Sequence, residues 1–169
     1  MQGSPNIMQG SPNIMMRLLP PGCDRRLRQL HDYWRSIAPG EHELPGRQHF
    51  DPLDIPALLP WVWLLDVYRD PLRFKYRVTG TEHRRVSGRD ATGHWMHELH
   101  PDFASYESYS EFLAAVERRE ICYRRGRPVF ALSNDVSETE RLMVPLARNG
   151  RDVDMLLAIT IYHRQPGRE

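Results

Sequence analysis

The stretch Arg73–Trp95, RFKYRVTGTEHRRVSGRDATGHW, decides the reading of the fold. Its first seven residues alternate. Phe74, Tyr76 and Val78 fall on one face and Arg73, Lys75 and Arg77 on the other, the period of a half-buried strand. Gly80-Thr81 ends that strand. A short charged segment follows, then two glycine-bearing turns, Gly88-Arg89-Asp90 and Thr92-Gly93. Gly80, Gly88 and Gly93 are expected to take backbone angles that other residues resist. Thr81, Asp90 and Thr92 are expected to cap short helices. The plainest reading is that these residues fold the segment and touch no ligand.

Upstream, Trp61–Tyr68 (WVWLLDVY) is apolar on both alternations, broken only by Asp66, and Asp70-Pro71 turns it into the Arg73–Thr79 strand as a hairpin. Glu41–Pro60 is a proline-punctuated connector, with one short helical turn expected from Asp54 to Pro60. Before it, Leu27, Leu30, Trp34 and Ile37 recur at helical spacing over Asp24–Ile37, with Asp24 as cap and Pro39-Gly40 as stop. That stripe has to be buried, either on the chain's own sheet or on a partner's. Downstream, Thr81–Asp102 reads as a helical insert and Ala104–Glu120 as a long helix with Tyr106, Tyr109, Leu113 and Val116 on one face. Strands are expected at Arg127–Ser133, Thr139–Ala147 and Asp152–His163, the last two joined by a turn at Asn149-Gly150. The order predicts an α+β fold: a five-stranded antiparallel sheet with the insert and long helix on one face, plus an N-terminal amphipathic helix.

The bulk properties fit one soluble domain: 169 residues, 40% apolar, 27% charged, net charge +1. No basic footprint points to nucleic acid, and no apolar run approaches the ~20 residues of a membrane-spanning helix. Two cysteines, Cys23 and Cys122, form no disulfide framework, which suits a reduced cytoplasmic setting. MQGSPNI occurs twice in succession from Met1, so residues 1–16 read as a tag-like or duplicated segment outside the fold. The organisation expected is then 17–60 as N-terminal helix and connector, 61–164 as core, and 165–169 as tail.

The run Tyr76–Thr81 followed by Gly88–Gly93, the later Glu140-Arg141 with Val144-Pro145-Leu146, and Pro52, Ile55, Leu58, Leu59 and Pro60 resemble the PAS sensor-domain family. The likeness is to a subfamily of short, stand-alone, mostly alphaproteobacterial proteins, and it spans roughly Leu30 to His163. It implies a ligand site between the sheet and the insert plus long helix. Walls would come from Phe74, Tyr76, Val78, Val86 and Trp95, from Tyr109 and Leu113, and from Phe130, Leu132, Met143 and Ile159. Arg77, Thr79, Tyr106, Ser133 and Thr160 would orient a ligand. The same side chains would equally fill an empty core at native density. Arg77 needs a partner if buried, either Asp66, Asp90 or Glu140 as an ion pair, or an anionic ligand.

His94, His97 and His100 are candidates for a metal site by their spacing, but Pro101 breaks the helix and no cysteine or carboxylate completes a set. Neither a haem nor a flavin motif is evident: Ala104–Glu120 lacks a histidine and the insert lacks a cysteine. No catalytic motif stands out, and an enzyme of ketosteroid-isomerase-like shape would need a buried carboxylate facing a pocket. The expectation is a non-enzymatic PAS sensor or adaptor in bacterial signalling, binding a small ligand, a signalling protein or both. Leu27, Leu30, Trp34 and Ile37 are its interface candidates for a homodimer. The alternative is a ligand-free interaction module.

Overall fold

The computed structural model describes residues 19–128 and 135–165. The first helix, α1, runs Arg25–Ser36, with Asp24 accepting a hydrogen bond from the backbone N–H of Arg26 and Ile37 closing the end. The connector holds three short 3-10 turns, Arg47–His49, Pro52–Asp54 and Pro56–Trp61, the last two with proline at the start, where its missing N–H costs nothing. Strands β1 (Val62–Tyr68) and β2 (Arg73–Thr79) form the expected hairpin. The insert contributes α2 (Thr81–Ser87) and α3 (Met96–Leu99), and α4 spans Tyr109–Glu117. Strands β3 (Cys122–Gly126), β4 (Val136–Leu146) and β5 (Met155–Arg164) complete one antiparallel sheet in the order β2-β1-β5-β4-β3. The α+β architecture is the one expected.

Strand β4 starts three residues before the expected Thr139 and β5 three after the expected Asp152, and two further elements differ more. The long helix is shorter than Ala104–Glu120, because Phe103–Ser105 is a 3-10 turn and the chain straightens at Tyr106 before α4 begins. The third strand is Cys122–Gly126, ahead of the expected Arg127–Ser133, of which 129–133 lie outside the described residues. Its residues pair from Cys122 with Met143 to Gly126 with Thr139, so position opposite β4 overrides weak local propensity. The heptapeptide repeat, Phe130, Leu132 and Ser133 lie outside the described residues.

The sheet separates two apolar layers. Strand alternation sends Trp63, Leu65, Val67, Cys122, Met143, Leu156 and Ala158 to an inner layer shared with the insert and α4. It sends Val62, Leu64, Tyr123, Leu142, Val144, Leu157, Ile159 and Ile161 to an outer layer. Helix α1 covers that outer layer within the same chain. Leu27 and Leu30 are fully buried there, and Trp34 Nε1 donates to the Pro145 carbonyl at 2.9 Å. The interface candidates are thereby corrected: Leu27 and Leu30 are spent on the chain's own sheet, while Trp34 and Ile37 are half-buried against it.

Glu140 fastens this helix. Its carboxylate, only 1% exposed, accepts from the Asp24 backbone N–H at 2.8 Å and from the Tyr123 hydroxyl at 3.0 Å, and meets His163 Nε2 at 3.2 Å. A buried acid at the start of α1 also suits the positive end of the helix dipole.

Candidate functional site

The phase of β2 changes halfway along, and this builds the site. Leu65 pairs with Tyr76, but Leu64 pairs with Val78, so Arg77 is the extra residue of a bulge. Side chains past the bulge swap faces. Tyr76 points to the inner layer, Val78 is 42% exposed, and Thr79 is buried in its place. The expected inward run of Phe74, Tyr76 and Val78 therefore fails at Val78.

Gly80 then lets the chain turn into α2. Its φ is −66°, so a left-handed angle is not the reason for glycine here. A Cβ would lie 2.4 Å from both the Leu59 and Pro60 carbonyl oxygens, so the reason is close approach of backbones. Gly88 and Gly93 do adopt positive φ, 72° and 82°. Between them Asp90 ties the turn together: its carboxylate accepts from the Thr92 N–H at 3.0 Å and the Thr79 hydroxyl at 2.9 Å, and pairs with Arg84 at 3.1 Å. The Thr92 N–H and its neighbouring donors hold the Asp90 carboxyl down to about 2. Thr81 is the first residue of α2 and Gly80 its cap, so the capping role expected of Thr81 is absent. The segment returns to the free edge of β2, where Gly93 N–H donates to the Tyr76 carbonyl and Tyr76 N–H to the His94 carbonyl. That return places Met96 over the inner face.

Under this roof lies a cavity of ≈ 60 Å³. The sheet floor supplies Trp63, Tyr76, Arg124, Thr139, Arg141, Thr160 and Tyr162, and the helices supply His83, Met96 and Phe112. Trp63 Nε1 donates to Thr160 Oγ1 at 2.9 Å, and His83 Nδ1 lies 2.6 Å from the Tyr162 hydroxyl. Burial holds the His83 imidazole down to about 4, so it is neutral at physiological pH, and burial raises the Tyr76 and Tyr162 phenols above their ordinary value. Glu111 of α4, 2% exposed, binds both arginines: Arg124 at 2.9 Å and Arg141 in a second close ion pair.

A family model described as PAS domain matches residues 24–161. The chain belongs to the PAS domain family. A solved RNA-binding light-oxygen-voltage receptor is similar in fold at 14% identity and a TM-score of 0.44; the match covers 74% of this chain and 37% of the receptor. No curated protein matches the sequence.

Of the wall residues expected for this PAS domain, Tyr76 lines the cavity and Met143 is buried in the inner layer near it. Phe74 and Tyr109 line a separate open groove beyond Met96. Trp95 sits outside, held between Tyr68 at 4.9 Å and the Arg73 guanidinium at 4.6 Å. Val86 is buried, but it is not among the cavity residues. Ile159 is corrected to the outer layer: its neighbour Thr160 lines the cavity, and adjacent strand residues cannot share a face. Leu113 is half-buried, and Phe112 occupies the inward position because α4 rotates to bury Glu111. Arg77 is a surface residue paired with Asp66 at 2.8 Å, its side chain 53% exposed, which settles its partner as an expected carboxylate and removes it from the pocket.

The three histidines do not converge. His94 is exposed in its turn, His97 packs on Trp95 at 5.7 Å, and His100 is half-buried, with desolvation lowering it to about 4. Among the described residues no three His, Cys, Asp or Glu side chains are arranged to hold a metal ion. No described helix is long and apolar enough to cross a membrane. Cys122 lies on β3 with its thiol pushed up to about 12, chiefly by burial, which makes it a poor nucleophile.

Sequence reasoning missed Trp63, His83, Met96, Phe112, Arg124, Thr139, Arg141 and Tyr162. Arg141 carried a signal: an arginine directly ahead of the apolar run Leu142–Leu146 sits on a strand with both faces covered, so it has to find polar company inside.

Proposed function

We propose that this PAS domain is a non-catalytic signalling sensor or adaptor that takes a small molecule between its sheet and its helical insert and reports occupancy to a protein partner. The observation that supports it is the cavity itself. It lies where α2, α3 and α4 meet the sheet, and its lining mixes aromatic walls with hydroxyls and guanidinium groups, the composition of a ligand site. Occupancy would act on the insert, because His83 and Met96 belong to the roof and Tyr76 joins the roof's return to β2. A homodimer would serve as one output route, and it would use surfaces other than Leu27 and Leu30.

A second reading is supported by size. At ≈ 60 Å³ the cavity is well below the ~300–1,000 Å³ of drug-sized ligand pockets, as befits a nearly filled core in a ligand-free adaptor. Native mass spectrometry followed by denaturing release, combined with a thermal-shift screen of small metabolites, separates the two. A retained mass or a saturable rise in Tm supports the sensor; a clean mass and no shift across the screen would leave the adaptor.

A further inference from the structure

We infer that the cavity is built for a small monocarboxylate, its charged end at Arg141 and its short apolar end against Trp63, Met96 and Phe112. This deepens the sensor reading and rests on it.

The first observation is an orphan donor. Arg141 is 9% exposed, and its Nε–H is buried without a hydrogen-bond partner among the described residues. Buried donors are almost always satisfied, so an unpaired guanidinium N–H on a residue that lines the cavity marks a missing acceptor. Its remaining contacts are accounted for: the far end pairs with Glu111, and the guanidinium carbon lies 5.3 Å from the Phe112 ring centre.

The second observation is charge. Two guanidinium groups, Arg124 and Arg141, line the cavity, and among the described residues no carboxylate does. Glu111 neutralises them from behind, but it is one buried acid shared by two cations. Glu107, which pairs with Arg124 at 3.3 Å, has a side chain 47% exposed to water, where its attraction is screened. The inward side of the pair therefore favours an anion.

The third is the rest of the donor set. The Tyr76 hydroxyl, on a residue 3% exposed, has no hydrogen-bond partner among the described residues, and it stays protonated because burial raises its pKa. Arg141 Nε and the Tyr76 hydroxyl are both donors in want of an acceptor, and a carboxylate offers two acceptor oxygens with one charge. The volume limits the remainder to a few carbon atoms. A phosphate group would bring more charge and more acceptors than this partly aromatic wall serves.

Propionate is the probe, with propionamide as the neutral isostere and sodium chloride at matched ionic strength as the control for charge alone. Binding is read on the full chain by calorimetry and by saturation-transfer NMR. Propionate is expected to bind saturably and propionamide at least 10-fold more weakly. Tyr76→Phe, which keeps the ring, is expected to weaken propionate about 10-fold, as the loss of one hydrogen bond to a charged group does. Arg141→Lys keeps the charge but loses the Nε donor and is expected to abolish detectable binding; should it fail to fold, Tyr76→Phe carries the test. Equal affinity for propionate and propionamide overturns the carboxylate assignment while leaving the sensor reading in place. So does propionate binding that survives undiminished in the folded variants, which would put the site elsewhere. No binding by either probe overturns the inference, and a clean native mass with no thermal shift across the metabolite screen would overturn the sensor reading with it.

Discussion

At the scale of the residue, two positions test how the strand-to-helix passage is built. Gly80 faces two backbone carbonyls that cannot move aside, so Gly80→Ala is expected to cost about 3 kcal/mol, the upper range for overpacking a tight site. Gly88 has open space around its would-be Cβ and only its φ of 72° to defend, so Gly88→Ala should cost about 1 kcal/mol. Urea midpoints of the two variants compare them directly, and equal losses would discredit the close-approach account. Val78 tests the bulge. Because the extra residue at Arg77 turns Val78 outward, Val78→Ser should change stability by no more than about 0.5 kcal/mol. An inward Val78 would instead lose much of a buried side chain, on the order of 2 kcal/mol. None of this shows in RFKYRVT, where alternation is unbroken, because a bulge is set by the partner strand and the pleat, not by the residues that carry it.

At the scale of the element, α1 is the informative one. Its stripe was legible from spacing alone, and so was its Asp24 cap. What it covers was not, since an apolar stripe specifies an apolar partner without naming it. The answer lies in long-range contacts: Trp34 to the Pro145 carbonyl, and Glu140 to the first residues of the helix. Leu30→Ala, at a fully buried position, is expected to cost about 3 kcal/mol, and the variant should keep the wild-type oligomeric state by analytical ultracentrifugation. A change of oligomeric state without a loss of stability would return Leu30 to an intermolecular interface. Glu140→Ala should loosen the helix more than an exposed acid could, because it strands the Asp24 N–H and the Tyr123 hydroxyl; faster hydrogen exchange confined to α1 and the start of β3 is the expected readout.

At the scale of the whole molecule, two desolvated imidazoles make stability depend on pH. His83 and His100 both sit at about 4 in the folded chain, against an ordinary 6.5, with desolvation the main cause. Between those values the unfolded chain binds protons that the folded chain refuses, so stability rises with pH across the window. Their contribution is complete above about pH 6.5 and is lost as pH falls towards 4. For His83 this loss is on the order of 2 kcal/mol, allowing for partial access of water to the ring. Thermal unfolding from pH 7 to pH 4 should therefore show a steeper fall for the wild type than for His83→Gln. Parallel curves would mean that His83 is protonated in the fold or hydrated like an exposed histidine.

What the sequence by itself determined was the set of elements and their order. Two-residue alternation, helical spacing, and punctuation by Asp24, Asp70-Pro71, Gly80 and Asn149-Gly150 are local properties, and local physics acts the same before and after folding. Five strands, an insert and a PAS fold follow from them. Which residues meet was decided only by the tertiary structure. Ile159 and Thr160 look equally eligible in a strand apolar on both faces, and one bond of pleat sends them to opposite layers. Glu111, Arg124 and Arg141 stand apart in the chain and become one buried cluster only when α4 is laid across β3 and β4. A charge cluster of that kind is a sum of distant choices, so no window of sequence contains it.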